Sequence, residues 1–454
     1  MTHTYPHIIV AKFGGTSVAD FDAMSRSATL VLADKNVRLV VLSASAGVTN
    51  LLVELASGLE SPVRLDKIAT LRALQYNIIS RLKQPDAIGQ EIDRLLDNIS
   101  RLAEDAVDSP SAALCDELVS HGEMMSSLLF VEVLREREDV ETQWFDARKV
   151  IRTDDTFGCA LPAIDAIAEQ AEKRLRPRIA QALIVTQGFI GSDAAGHTTT
   201  LGRGGSDYTA SLLAEALNAS RVDIWTDVAG IYTTDPRIVA QAKRIDTLSF
   251  SEAREMATLG AKVLHPATLL PAIRKNIPVF VGASNNASAG GTLVLRDALE
   301  PSRYRALAVR RQQTLLTLSS LDAQPTHRFL AETFGILSRH ETAIDLVTTS
   351  ETSIALILNS TGSTSGEADT LTTALLTELS SHCHVEIETG LALVSLIGNG
   401  LAKEAAVCKE VFAELETHAV RMICHGASNQ SLCFLLPAAS ADSAVKALHR
   451  SLLE

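Results

Sequence analysis

The sequence predicts an α/β protein, in which a mostly parallel sheet sandwiched by helices is followed by two small β-α-β-β-α modules. The first two-thirds of the chain alternates short β-rich runs with long helical patterns, which is typical of a parallel sheet covered on both faces. The last third repeats itself, since residues 333–358 align without gaps on residues 411–436. At 454 residues the chain is too long for one hydrophobic core, so several domains are expected.

Apolar runs of five to seven residues are the predicted strands of the parallel sheet: residues 8–12, 37–43, 182–188 and 222–226. Helical patterns lie between them, for example at residues 92–106 and 206–217. Ligands of such sheets bind beyond the carboxyl ends of the strands. The glycine-bearing turns that follow these strands are therefore the candidate sites.

The internal repeat predicts the two modules. Phe334 of the first copy matches Phe412 of the second, and each copy follows a predicted strand and precedes a predicted helix. This order is that of a ferredoxin-like module, and two such modules normally pack together with a ligand cleft at their interface. The predicted limits are residues 1–298 for the first part, and 311–388 and 389–454 for the modules. Their predicted strands are residues 314–318 and 391–397, and their predicted helices are residues 369–380 and 441–452.

The bulk composition excludes several classes of function. The net charge of −13 disfavours nucleic acid and anionic membranes as partners. The N-terminus lacks a signal-peptide pattern, and no apolar run is long enough to cross a bilayer, so a cytoplasmic protein is expected. The six cysteines show neither a C-x-x-C pair nor a zinc spacing, which indicates reduced thiols.

Residues 12–17, KFGGTS, directly follow the first predicted strand. Gly14 and Gly15 let the backbone approach a phosphate closely, and Lys12 supplies positive charge. No Walker A pattern occurs in the chain. The alternative is a simple glycine turn that ends a buried strand.

Residues 200–208, TLGRGGSDY, precede a predicted helix, so Ser206 or Asp207 lies at its N-terminus, where the free N–H groups favour an anion. Arg203 can bind a carboxylate through two hydrogen bonds. The alternative role for Ser206 and Asp207 is helix capping, and the two roles are compatible.

Three further segments are weaker candidates. Residues 43–49, SASAGVT, form a small-residue loop at a strand end, and serine-capped turns look the same. Residues 116–123 place Asp116, Ser120 and Glu123 at helical spacing, for which a solvated helix face is the default interpretation. Residues 225–237 form a polar turn that either holds an adenosine or only connects two elements.

Taken together, six segments resemble the aspartokinases: KFGGTS (12–17), SASAG (43–47), ELVSHGE (117–123), TLGRGGSDYTA (200–210), WTDVAGIYTTDPR (225–237) and GAKVLHP (260–266). The glycine motif belongs to the wider amino-acid-kinase family, whereas RGGSD combined with SHGE indicates the aspartate enzymes. The resemblance covers essentially the whole chain, including a C-terminal pair of ACT modules. It is strongest to the monofunctional, lysine-sensitive type, with no homoserine dehydrogenase expected after Glu454.

The resemblance implies that ATP phosphorylates the β-carboxylate of L-aspartate, giving 4-phospho-L-aspartate, in the first step of lysine, threonine and methionine biosynthesis. It implies catalytic roles for Lys12 and Asp207. The implied ATP-binding residues are Lys12, Phe13, Gly14, Gly15, Thr226, Asp227, Tyr232, Arg237, Lys262 and Val263. The implied aspartate-binding residues are Thr49, Glu123, Arg203, Gly204, Gly205 and Ser206. The implied allosteric residues are Phe329, Leu330, Ile344, Asp345, Ser350 and Glu351, with lysine as the effector.

The charges of the reactants indicate the mechanism. The substrate carboxylate has a pKa near ~4 and is already ionised, so no general base is required. Catalysis then requires positioning and charge neutralisation by Lys12, the glycine amides and Mg²⁺. The sequence has no aspartate cluster suited to a magnesium cage, so the ion is expected on the phosphates of ATP.

Two alternatives remain at this point. One is a kinase of the same fold acting on glutamate, acetylglutamate or UMP, and the other is a catalytically inactive amino-acid-binding regulator. Paired ACT modules of this family associate between chains, so a homodimer is expected, with a tetramer as the larger alternative.

The effector region departs from the family at three positions. Ala323 stands where methionine is expected, Arg328 where glycine is expected, and Ala343 where serine is usual. An arginine restricts the backbone, and its charge would repel a lysine side chain if it pointed into the site. We therefore predict lysine inhibition that is weak or lost, with a solvent-facing Arg328 as the alternative.

Overall fold

The computed structural model describes residues 7–137, 140–261, 264–298, 302–321, 326–358 and 371–454. It divides into two compact units. The first unit comprises Met1–Ile231, Arg244–Phe250 and Val263–Leu299, and the second comprises Tyr232–Lys243, Ser251–Lys262 and Glu300–Glu454. Two short segments inside the first 298 residues thus group with the C-terminal part of the chain.

The described strands of the first unit form an eight-stranded sheet and a separate hairpin. The sheet order is β3-β4-β2-β1-β7-β9-β10-β8, and β5 pairs with β6 in the hairpin. The strands are β1 Ile9–Phe13, β2 Val37–Leu42, β3 Thr142–Phe145, β4 Leu183–Gln187, β5 Ile190–Ser192, β6 Thr198–Thr200, β7 Arg221–Thr226, β8 Thr247–Ser249, β9 Val279–Ala283 and β10 Gly291–Leu295. Every neighbouring pair of the sheet is parallel except β9 with β10.

The helices of the first unit are α1 Phe21–Ala33, α2 Val48–Ala56, α3 Ser61–Ile79, α4 Pro85–Asp108, α5 Ala112–Arg135, α6 Ile164–Gln170, α7 Arg176–Ile179, α8 Gly205–Leu217 and α10 Pro266–Lys275. The helix α9, Phe250–Thr258, belongs to the second unit except for its first residue. The predicted α/β class is therefore confirmed. The four predicted strands correspond to β1, β2, β4 and β7, and the predicted helices at 92–106 and 206–217 lie within α4 and correspond to α8.

The position of β1 explains where ligands can bind. Every residue of β1 is buried, which fits an apolar strand covered on both faces. The chain passes from β1 to β2 on one side, whereas β7 lies on the other side of β1. This is a topological switch point, so a crevice is expected beyond the carboxyl ends of β1, β2 and β7.

The described strands of the second unit form a six-stranded antiparallel sheet in the order β12-β13-β11-β14-β16-β15. They are β11 Tyr304–Ser320, β12 Ile344–Thr349, β13 Ser353–Leu358, β14 Cys383–Gly398, β15 Met422–His425 and β16 Ser431–Pro437. The helices are α11 Thr326–Arg339, α12 Thr373–Ser380, α13 Ala405–Glu414 and α14 Ala438–Leu452.

The long strands β11 and β14 differ from the sequence prediction. The predicted strands 314–318 and 391–397 are only parts of them, because β11 and β14 pair along almost their whole length. The register shifts between Arg310 and Gln313, and Gln312 and Gly390 have positive φ angles of 56° and 72°. These irregular residues interrupt the apolar pattern of the sequence without ending either strand.

Each half of the continuous sheet has its own core. One core contains Leu316, Phe329 and Leu356, and the other contains Val394, Phe434 and Leu448. All six cysteines lie in the described ranges and are free. Within those ranges, no helix is both long and apolar enough to cross a bilayer.

Candidate active site

An ion pair between Lys12 and Asp207 lies at the carboxyl end of β1. The Lys12 Nζ atom lies 2.6 Å from Asp207 Oδ1, and the two side chains are only 10% and 15% exposed. Lys12 is the penultimate residue of the central strand β1, and Asp207 is in the first turn of α8. Low exposure weakens solvent screening, so the charge of Lys12 acts strongly on its surroundings.

The glycine loop after β1 contacts the end of β7 and the loop after β2. The Gly14 N–H donates to the Trp225 carbonyl at 3.0 Å, which joins the loop to β7. A Cβ atom on Gly15 would lie 2.8 Å from the Ala44 carbonyl oxygen, so only glycine allows this approach to the loop after β2. A Cβ atom on Gly14 would lie 3.7 Å from Lys12 Nζ, so the ammonium group lies directly beside the glycine backbone.

Glu123 is buried beside the same loops. It lies on α5, and its Oε1 atom accepts the Ala44 N–H at 3.0 Å. Its Oε2 atom has no hydrogen-bond partner among the described residues. Burial raises the pKa of Glu123 to about 8, against the opposing effects of the Ala44 N–H and the Lys12 charge. A second carboxylate oxygen is thus available to a cationic group of a ligand.

The default interpretation of the Asp116, Ser120 and Glu123 face is wrong, because all three residues are buried rather than solvated. Gly122 explains how this face of α5 comes so close to β2. A Cβ atom on Gly122 would lie 2.8 Å from the Ala44 Cβ atom. Because a larger residue would push α5 away, Gly122 allows Glu123 to reach the loop after β2.

The loop before α8 contains the other predicted aspartate-binding residues. Gly204 has a φ angle of 75° and precedes Gly205, the first residue of α8, while Arg203 is exposed. A Cβ atom on Gly204 would lie 2.6 Å from the Cβ atom of His265. Burial lowers the pKa of His265, with the charge of Arg203 acting in the same direction and Asp207 opposing. His265 therefore packs against Gly204 of this loop.

Thr49 lies at the start of a helix and Thr226 at the end of a strand. Thr49 is half-buried in the first turn of α2, which begins after Gly47 with a φ angle of 84°. Thr226 is the last residue of β7, and its hydroxyl donates to Asp227 Oδ1 at 3.0 Å. The first unit thus brings together Lys12, Phe13, Gly14, Gly15, Thr49, Glu123, Arg203, Gly204, Gly205, Ser206, Asp207, Thr226 and Asp227 around its strand ends.

The comparisons with known proteins decide the family. The model of the amino acid kinase family matches residues 7–283, and an ACT domain model matches residues 394–452. The lysine-sensitive aspartokinase 3 of Escherichia coli is 63% identical over 447 residues, which cover 98% of this chain and 99% of that protein. The chain belongs to the aspartokinases.

Other aspartokinases agree with this assignment. Aspartokinase 1 of Arabidopsis thaliana chloroplasts is 32% identical over 98% of this chain and 80% of its own length. The crystal structure of E. coli aspartokinase III in complex with aspartate and ADP matches with a TM-score of 0.93, covering 98% of this chain and all of that one. The complex of the same enzyme with lysine and aspartate, at the same coverage, gives a TM-score of 0.83.

Four further nucleotide-binding candidates of this aspartokinase are not among the described residues of the first unit. Tyr232 and Arg237 belong to the second unit, where Arg237 pairs with Asp235 at 2.6 Å. Lys262 and Val263 lie outside the described residues.

Two site residues were missed by sequence reasoning. Ser284 follows β9, its hydroxyl lies 2.7 Å from that of Ser17, and its N–H donates to the Thr226 carbonyl at 2.9 Å. It therefore ties the glycine loop to the end of β7. His265 belongs to the GAKVLHP segment, and that motif was the available signal for it.

The predicted effector residues of this aspartokinase lie in the second unit. Phe329 and Leu330 lie on α11, with Phe329 buried, and Ile344 and Asp345 lie on β12. Ser350 and Glu351 follow β12. The Ser350 N–H donates to the Ser353 carbonyl at 2.8 Å, and the Glu351 carbonyl accepts the Thr326 hydroxyl at 2.9 Å.

Asp345 already has a partner within the chain. Its Oδ2 atom lies 2.5 Å from Arg310 Nη2, and the side chains are 16% and 14% exposed. Burial raises the pKa of Asp345, whereas the charge of Arg310 acts in the opposite direction.

Arg328 takes the solvent-facing arrangement that was the alternative to repulsion. Its side chain is 68% exposed, and its Nε atom donates to Glu332 Oε1 at 2.9 Å, one turn along α11. Ala343 is also exposed, and Ala323 lies outside the described residues.

Proposed function

We propose that this aspartokinase transfers the γ-phosphoryl group of ATP to the β-carboxylate of L-aspartate, giving 4-phospho-L-aspartate. The observation that carries the proposal is the buried Lys12–Asp207 pair beside Gly14, at the switch point of the sheet. A cation next to glycine amides suits a phosphoryl group in transit. The close E. coli relative was crystallised with aspartate and ADP, which supports the same pair of ligands here.

The proposed mechanism needs no general base, because the attacking carboxylate is ionised at neutral pH. The main barrier is repulsion between this anion and the phosphates. Lys12 and the amides of Gly14 and Gly15 neutralise the developing charge, and Asp207 holds the Lys12 ammonium group in place at 2.6 Å.

The aspartate substrate is assigned to residues of α2, α5 and the loop before α8. Arg203 binds its α-carboxylate, Glu123 binds its ammonium group through the unpartnered Oε2 atom, and Thr49, Gly204, Gly205 and Ser206 complete the site. This arrangement would leave the β-carboxylate as the free end that faces the phosphoryl group.

ATP is assigned to Phe13, Thr226 and Asp227 of the first unit, with Tyr232, Arg237, Lys262 and Val263 as further candidates. Among the described residues, no group of three or more His, Cys, Asp or Glu side chains could hold a metal ion. Mg²⁺ is proposed to bind with the ATP phosphates, where it would supply further charge neutralisation.

We further propose a kinase domain at residues 1–298, a first ACT module at residues 311–388 and a second ACT module at residues 389–454. Lysine binds at the first ACT module in this proposal. Because Arg328 faces solvent and pairs with Glu332, its charge does not repel a lysine side chain, so the response to lysine is expected to persist. We also propose that the enzyme is a homodimer or tetramer in the cytoplasm. It would catalyse the first step of lysine, threonine and methionine biosynthesis.

Trapping of the acyl phosphate with hydroxylamine tests the activity. Aspartate with ATP and Mg²⁺ should give the coloured hydroxamate complex, while glutamate and acetylglutamate should give none. UMP cannot form an acyl phosphate, so its phosphorylation is checked by ADP release in a coupled assay, and none is expected. Phosphorylation of one of these instead would establish another kinase of the fold. No product with any substrate would indicate an inactive amino-acid-binding regulator.

A further inference from the structure

Asp116 is a buried carboxylate with an unusual set of partners. It is only 2% exposed on α5. Its Oδ2 atom accepts the N–H groups of Gly158 at 2.9 Å and Thr200 at 2.8 Å, and its Oδ1 atom accepts the Thr200 hydroxyl at 2.8 Å. Burial raises its pKa, and these hydrogen bonds act in the opposite direction. A buried carboxylate is costly unless it is hydrogen-bonded, and these three contacts offset that cost.

The partners of Asp116 lead directly into the proposed aspartate site. Thr200 ends β6 and is followed by the loop that carries Arg203 and Ser206. The segment around Gly158 supports the same loop, because the Ala160 N–H donates to the Thr200 carbonyl at 2.8 Å. A Cβ atom on Gly202 would lie 3.3 Å from the Gly158 carbonyl oxygen, so the two segments are in close contact.

The same helix carries Glu123 on the same face, seven residues further along. Two helical turns correspond to roughly 10 Å, which separates the two carboxylates along the axis. Glu123 is fixed to Ala44, and the Ser126 hydroxyl donates to the Ser43 carbonyl at 2.8 Å. The helix α5 therefore connects the loop after β2 to the loop before α8.

We propose that Asp116 is a positioning residue for the aspartate substrate, which holds the Arg203–Ser206 loop at a fixed distance from Glu123. It acts through Thr200 and Gly158 and does not touch the substrate. The inference rests on the proposed aspartate site, because Arg203 and Glu123 must bind the two ends of one amino acid. Displacement by about an ångström of a group that orients a substrate can cost roughly 100-fold in rate.

Substitution of Asp116 by alanine and by asparagine tests the proposal in the full-length enzyme. Asp116→Ala removes all three acceptor contacts, and the KM for aspartate should rise about 10–100-fold while the KM for ATP stays near that of the wild type. Asp116→Asn should restore most of the aspartate affinity. Its amide oxygen can accept both N–H groups, and its NH₂ group can donate to the Thr200 hydroxyl, which can turn to accept.

Asp223→Ala is the matched control. Asp223 is also a buried carboxylate of the first unit, but its partner is Arg221 at 2.5 Å, near the start of β7. This variant should lose thermal stability like Asp116→Ala without a selective change in the KM for aspartate. Equal changes in both KM values, or a selective rise in Asp223→Ala as well, would show that Asp116 serves stability alone.

Thr200→Val provides a second route if Asp116→Ala does not fold. It removes only the hydroxyl contact and should raise the dissociation constant of aspartate, measured by calorimetry, by about three- to tenfold. Wild-type aspartate binding in Thr200→Val would overturn the inference. Absence of aspartate phosphorylation by the wild type would instead refute the proposed function, so the two failures are distinguishable.

Discussion

Two buried ion pairs, one in each unit, differ in what surrounds the cation. Lys12 lies 2.6 Å from Asp207, and Arg310 lies 2.5 Å from Asp345, with comparable low exposure in both pairs. Lys12 adjoins the backbone of Gly14, where a phosphoryl group can approach. Arg310 also donates to the Gln313 side chain at 3.0 Å and to the Thr258 carbonyl at 3.5 Å.

This difference supports the proposed catalytic role of the first pair and a structural role of the second. A lysine has three rotatable donors, so Lys12 can bind Asp207 and still donate to a phosphoryl oxygen. Each guanidinium nitrogen of Arg310 contacts a group of the second unit, namely Asp345, Gln313 or Thr258. An effector ammonium group at Asp345 must therefore compete with an existing partner, whereas a phosphoryl group at Lys12 need not.

The largest expected effect is that of Lys12→Ala. Removal of one preorganised donor to the transition state should lower kcat by about 10²–10³-fold. Asp345→Asn, which alters the other pair, should leave kcat unchanged in the same steady-state assay. Near wild-type turnover in Lys12→Ala would exclude Lys12 from phosphoryl transfer and remove the distinction between the pairs.

Arg203→Ala should affect aspartate rather than ATP. Loss of hydrogen bonds to a charged group costs about 1.5–3 kcal/mol, equivalent to a rise in the KM for aspartate of roughly 10–100-fold. The KM for ATP should hold. If ATP binding weakened while aspartate binding held, the assignments of the two half-sites would have to be exchanged.

Glu123 should make the KM for aspartate depend on pH. With its pKa raised to about 8, more of the carboxylate ionises between pH 7 and pH 9. The affinity for an ammonium group should rise with this ionisation, so the KM for aspartate should fall by about tenfold over that interval. Glu123→Gln should show a flat profile in the same titration. A wild-type KM that does not change with pH would contradict this role of Glu123.

The same group makes a prediction for stability. A raised pKa means that the folded protein holds this proton more tightly than the unfolded chain. The resulting stabilisation is complete below the ordinary pKa of 4.5 and is lost as the pH rises through about 8. Thermal unfolding of Glu123→Gln should therefore depend less on pH in this window than that of the wild type. Parallel melting curves for the two proteins would refute this prediction.

Arg328→Gly should have the smallest effect. The exposed Arg328–Glu332 pair is worth only about 0.3–0.5 kcal/mol, and glycine in a helix costs about 1 kcal/mol, so the free energy of unfolding should fall by only roughly 1 kcal/mol. Because Arg328 faces solvent, lysine inhibition should be nearly the same in the wild type and in the variant, as measured by inhibition curves. Weak inhibition of the wild type that becomes several-fold tighter in Arg328→Gly would contradict the prediction.

The parts of the molecule that sequence could predict are those encoded locally. The apolar runs of β1, β2, β4 and β7 and the glycine loops after them are visible as short patterns. Asp116 was misjudged because its partners lie 42 and 84 residues away, where helical spacing carries no information. The Ser17–Ser284 contact spans 267 residues, so no local pattern reveals it. The Arg328–Glu332 pair is different, because its four-residue spacing is a local signal for the solvent-facing arrangement.

Phosphorus NMR with heavy-oxygen-labelled substrate tests the central claim most directly. Aspartate labelled in its β-carboxylate is incubated with ATP, Mg²⁺ and either the wild type or Lys12→Ala. Attack by the carboxylate should give an acyl phosphate whose phosphorus signal carries the isotope shift of a bound heavy oxygen, and Lys12→Ala should form it about 10²–10³ times more slowly. Release of unlabelled inorganic phosphate without an acyl phosphate signal would contradict phosphoryl transfer to aspartate at this site.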